Sequence, residues 1–241
     1  MLRWLVVIGC LLGAPGASVA ATAVDPTARD VLNTWESDSE AGSFVKHLAA
    51  AFPEDTLAAA GSVAAEARKG VSGDALTRFG TQVLLRLVSA EFRFLRVAPD
   101  ERLIAVARAY GDAMAGLKTR NLALCASMAG ALNPDFSVGA AASTADAMID
   151  AMKAGRDSPV RRAPPTPADM RLLSTTTAHM NLSPATIDSI VHPTGAPRSD
   201  EAQCELGIAA MHAFLVVPPD VAGRVLAATL SPSADGSAPQ P

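Results

Sequence analysis

The sequence predicts an all-α fold, an irregular Ala-rich bundle of about eight to ten helices, and three observations carry that expectation. Hydrophobic residues make up 49% of the 241-residue chain but aromatics only 4%. Ala, Val, Leu and Met supply most of that fraction, and no alternating β-branched run offers a strand. Apolar positions recur at helical spacing, and proline with neighbouring acids opens one segment after another.

The periodicity is clearest between Asp74 and Asn133, which reads as three helices, Asp74–Val97, Pro99–Lys118 and Asn121–Leu132. At about 100° per residue, Leu76, Phe79, Val83, Leu84, Leu87, Phe94 and Leu95 share one face of the first. Leu103, Val106, Tyr110, Met114 and Leu117 do so in the second. Pro99-Asp100-Glu101 separates the two and places acids in a first helical turn. A helical hairpin at the centre of a bundle is expected from this stretch.

The chain opens with the three parts of a secretory signal over residues 1–23. Arg3 is the positive region, Trp4–Leu12 the apolar one, and Ser18-Val19-Ala20 and Ala21-Thr22-Ala23 are small-x-small cleavage sites. The apolar run is too short to span a bilayer, and a lipid anchor on Cys10 is the less favoured alternative because its apolar run would be shorter still. A periplasmic or secreted protein with no stable membrane span is therefore expected.

The mature chain divides on the page into a helical core domain at 25–154, a Pro-rich connector at 155–168, C-terminal helices at 169–230 packed on the core, and a disordered tail at 231–241. Asp25–Glu36, Ala41–Phe52 and a third helix from Pro53 to about Lys69 come first, with Gly70–Gly73 as a turn. Ser137–Ala154 is a small-residue helix carrying Val138, Ala142, Ala145, Ile149 and Met152 on one side. Pro159, Pro164, Pro165 and Pro167 then surround Arg161-Arg162, an extended and partly polyproline II stretch. Helices resume at Pro167–His179, Pro184–Val191, Ser199–Val216 and Pro219–Leu230.

Once the signal is removed, Cys125 and Cys204 remain, and an even pair in an exported chain is read as a structural disulfide. Closing a loop of about 80 residues contributes on the order of 4 kcal/mol by chain entropy.

Chemistry is harder to find. His47, His179, His192 and His212 form no ligand pair on a helix face, so neither a metal nor a cofactor is expected. Ser43-Phe44-Val45-Lys46 matches S-x-x-K, but no K-T-G or S-D-N follows and no strand would carry it. No catalytic residue is assigned. Glu91 falls inside an apolar helix face, where a carboxylate needs a partner, and Arg120 is the candidate for a buried ion pair, with Lys118 as an alternative. A net charge of −4 with 18% charged residues gives no reason to expect nucleic acid.

Two functions fit these features. The first is an exported, non-catalytic envelope protein that binds another envelope or secreted protein, as an inhibitor, immunity or accessory protein does. The second is a small exported hydrolase acting on cell-wall or envelope material through Glu91 and a second acid, which would stand roughly 5–9 Å away. The sequence leaves the oligomeric state open.

Overall fold

A computed structural model describes residues 27–38, 42–131, 141–191 and 198–230. Eleven α-helices and one 3₁₀ helix make up these residues, with no strand among them. The count is one above the eight to ten expected of the bundle and equals the number of helical segments read individually from the sequence. The signal segment, Cys10, Val138, His192 and the tail lie outside the described residues.

The chain forms two compact units that meet in sequence between Glu91 and Phe92, a boundary inside both the 25–154 segment and the stretch expected to be a hairpin. In the first unit, α1 (Ala28–Ser37), α2 (Gly42–Ala51) and α4 (Gly73–Glu91) all pack on α3 (Pro53–Arg68). Thr27 caps α1 in a reciprocal box with Asp30, and Leu32 and Trp35 turn inward. Val45, Leu48 and Phe52 are fully buried beside Ala60 and Ala64. The turn from α3 to α4 runs through Gly70 at φ 90° and Gly73 at φ 56°, a left-handed backbone that glycine adopts without a Cβ penalty.

Two features of α4 depart from the expected Asp74–Val97 helix. It ends at Glu91, and the chain continues as the 3₁₀ helix Phe92–Val97. Its buried seam is Gly80, Thr81, Leu84, Val88 and Glu91, while Leu76, Phe79, Val83 and Leu87 are only half-buried. Trp35 packs against this seam at Gly80, where a Cβ would sit 3.6 Å from the indole Cζ2, an ordinary van der Waals distance. A wheel weighted by hydrophobicity gives Gly80 and Thr81 little weight, yet both are buried.

The second unit has two hub helices. The first, α5 (Asp100–Lys118), packs on α6 (Leu122–Ala131), α7 (Ala141–Asp157), α10 (Asp200–Ala213) and α11 (Pro219–Thr229). Its inward face is Leu103, Val106, Tyr110, Met114 and Leu117, all buried. The second hub, α10, also holds α6, α8 (Pro167–Ala178) and α9 (Pro184–Val191). Ala145, Ile149 and Met152 face inward from α7 together with Met148 and Ala151. That helix lies so close to the 3₁₀ helix that a Cβ on Gly155 would overlap the Phe94 carbonyl oxygen.

Candidate functional site

The region with the most specific construction is the connector between α7 and α8, together with the helix ends that hold it. Four prolines with φ fixed by the ring, and the bias each imposes on the residue before it, keep residues 159–166 out of helix. Extended chain satisfies few of its own polar groups, so its position depends on anchors. Val160 donates its backbone N–H to the Val97 carbonyl at 2.7 Å. Arg162 does most of the rest. Its side chain is only 8% exposed, and its guanidinium pairs with Asp100 in the first turn of α5, Nη2 to Oδ1 at 2.6 Å and Nε to Oδ1 at 2.7 Å. It also donates to the carbonyls of Ala98 and Arg96, which end the 3₁₀ segment. Gly223 of α11 lies directly on this pair, since a Cβ there would overlap the Asp100 carboxylate.

A second arginine holds the end of the connector. Thr166 caps α8 and shares a capping box with Asp169, whose carboxylate accepts from the Thr166 N–H at 2.8 Å. Arg224 of α11 then grips Asp169 with both prongs, Nη2 to Oδ1 at 2.8 Å and Nε to Oδ2 at 3.1 Å, and reaches Asp220 at 2.9 Å with Nη1. The Arg224 guanidinium and the Thr166 backbone hold Asp169 well below the ordinary carboxylate range. Asp169 in turn raises Arg224 further above its usual value. The second turn of α11 is thereby fixed beside the first turn of α8.

The cysteines and their neighbours form the third anchor. Cys125 of α6 and Cys204 of α10 are both buried, with sulfurs 1.96 Å apart and Cα atoms 5.3 Å apart. The next residue, Glu205, accepts from Lys118 Nζ at 2.7 Å, Thr186 Oγ1 at 2.6 Å and the Ser183 N–H at 3.2 Å. Those donors, Lys118 first, hold its carboxyl down to about 2. One turn of α10 thus binds α6 covalently, and α5 and the start of α9 through one carboxylate.

Among the other residues singled out in the sequence, Glu91 is buried at the end of α4. Arg120 is exposed, and its Nε donates to the Gly116 carbonyl at 2.9 Å. Lys118, the alternative partner, is engaged by Glu205. His179 Nδ1 lies 2.7 Å from the Thr175 carbonyl, and His212 Nε2 lies 3.9 Å from Asp112 on an exposed edge. Among the described residues, no cluster of three or more His, Cys, Asp or Glu is placed to hold a metal ion, and no helix is long and apolar enough to cross a membrane.

Sequence reasoning passed over Asp100, Arg162, Asp169, Glu205 and Arg224. Thr166-Pro167-Ala168-Asp169 does carry a readable capping signal. Glu205 and Lys118 are 87 residues apart, and nothing local couples them. No family model matches the chain, and neither a curated protein nor a solved structure matches it.

Between these anchors, several large apolar side chains are left in solvent. Val160 lies on the connector, while Met170, at 46% exposure, and Leu172 border the outer side of α8. Val216, at 69%, stands in the turn between α10 and α11 next to the exposed Pro218 and Pro219.

Proposed function

We propose that this is an exported, non-catalytic protein that works by binding another envelope or secreted protein, through the connector, the outer side of α8 and the α10–α11 turn. One observation carries the reading: Val160, Met170, Leu172 and Val216 are exposed on backbone that part-buried ion pairs and a cysteine pair hold in place. Anchoring an exposed apolar segment lowers the ordering cost that a partner would otherwise have to offset on binding. The cysteine pair at bonding distance suits an oxidising compartment, and residues 1–23 supply the export signal.

The test is a crosslinking scan in the native cell. A photoreactive residue is placed in turn at Met170, Leu172 and Val216, with Ser62 and Arg78 on the first unit as controls. The expected outcome is a discrete protein adduct at the first three positions and none at the controls. Uniform or absent adducts, together with release of product from isolated cell-wall material by the purified protein, would replace this reading with the hydrolase.

A further inference from the structure

The connector carries more information than its exposed valine. Polyproline II has three residues per turn, so positions three apart lie along one edge. From Pro159 to Pro167 all residues are exposed except Arg162 and Pro165, which are three apart. Arg162 and Pro165 are therefore turned onto the protein, where Arg162 is clamped by Asp100, while Pro159 at the start of the same row is exposed. The other two edges face solvent. One of them reads Arg161, Pro164 and Pro167, and the other reads Val160, Ala163 and Thr166.

The end of this stretch is extended. Thr166 sits at φ −94°, ψ 161°, and the ring position of Pro167 depends on that ψ and on its own fixed φ. The chain turns into α8 only after the Pro167 ring has been placed on the edge. Arg161 stands at the other end of the same edge, exposed and engaged by none of the described residues, in contrast to its neighbour Arg162.

The geometry points to residues 160–167 as a preformed polyproline ligand, whose partner is a protein with an aromatic-lined groove for Pro164 and Pro167 and an acidic side chain for Arg161. This rests on the binding reading above and names its site and its partner's chemistry. Proline rings offer flat apolar contact with little entropy left to lose, which suits aromatic grooves. The lone guanidinium at one end sets the direction in which the ligand lies, because only one orientation brings it to the acid. Among the described residues of this chain the Trp and the Tyr, Trp35 and Tyr110, are both buried, so a second copy presents neither to the prolines.

The experiment places p-benzoylphenylalanine at Ala163, on the edge beside the prolines, in the full chain expressed in its native cell. The linked residue on the partner is then mapped by tandem mass spectrometry. The expected adduct is one protein, linked at a segment containing Trp or Tyr with Asp or Glu nearby. Its yield should fall by about tenfold or more in Arg161→Glu and be largely kept in Arg161→Lys. Arg161→Glu should melt with the parent, because none of the described residues engages the side chain. An adduct indifferent to Arg161→Glu overturns the proposal, as does one mapped to lipid, to another copy of this chain or to a surface without aromatic residues. Adducts at Met170 or Val216 with none at Ala163 also overturn it but leave the binding reading standing. No adduct at any position removes both.

Discussion

Replacing Glu205 by Gln tests whether the α9–α10–α5 junction is held by charge or only by shape. The carboxyl of Glu205 is held down to about 2 from an ordinary 4.5, and its side chain is 13% exposed. A difference of that size corresponds to a ceiling of roughly 3 kcal/mol, and because Lys118 is 36% exposed, solvent screening lowers the expected contribution to about 2 kcal/mol. The sign follows from the depressed folded value. The stabilisation is complete above the unfolded value of 4.5 and is lost as pH falls from there toward 2. Glu205→Gln keeps the volume and one acceptor but not the charge. At pH 7 its melting temperature should therefore lie below the parent's by about 4–8 °C, and near pH 2 the two should coincide. Thermal melts from pH 7 to pH 2 supply the main readout. Amide exchange in Pro184–Val191, whose first turn is tied down by Glu205, supplies a local one should the two units unfold separately. A gap that stays constant with pH would refute the electrostatic account, and no gap at pH 7 would refute the junction's importance altogether.

Replacing both Cys125 and Cys204 with Ser should cost about 4 kcal/mol, seen as a lower denaturant midpoint for the second unit and no further effect of reductant. Arg162→Ala should lower the melting temperature of the second unit, since it strands Asp100 and the Ala98 carbonyl, while Arg161→Ala should leave it unchanged; equal effects would mean that the connector is not anchored as described. Gly155→Ala should destabilise by several kcal/mol because its methyl would meet the Phe94 carbonyl, whereas Gly61→Ala, with its closest neighbour 3.7 Å away, should gain up to about 1 kcal/mol from helix propensity; chemical denaturation of both variants decides.

Helix content was the most legible property, because spacing and proline placement act locally. The inward face of α5 shows this well: Leu103, Val106, Tyr110, Met114 and Leu117 repeat at three and four and are all buried. The face of α4 was less legible, because Gly80 and Thr81 belong to its buried seam and apolar periodicity gives neither of them weight. The end of α4 at Glu91 was not legible either, since Phe92–Val97 carries no Pro or Gly to mark a change from α to 3₁₀ geometry. Parity alone drew attention to Cys125 and Cys204. It says nothing of Glu205 beside them, whose partners are Lys118, Ser183 in the loop before α9 and Thr186 in its first turn.

The two arginines of the connector show where composition stops and structure begins. Arg161 and Arg162 are adjacent and chemically identical, and in a sequence they read as one basic dipeptide in a proline-rich stretch. With three residues per turn, adjacent positions must face different ways. One guanidinium is therefore spent on Asp100 and the backbone carbonyls, and the other is presented to solvent. Anchoring and presentation are thus the same feature. Without the first, the prolines would sample many orientations and the second would carry no direction. A partner that reads Arg161 depends on Arg162 without touching it, so Arg162→Ala should weaken binding even under conditions where the fold survives. Arg161→Ala should weaken binding with no change in the fold at all.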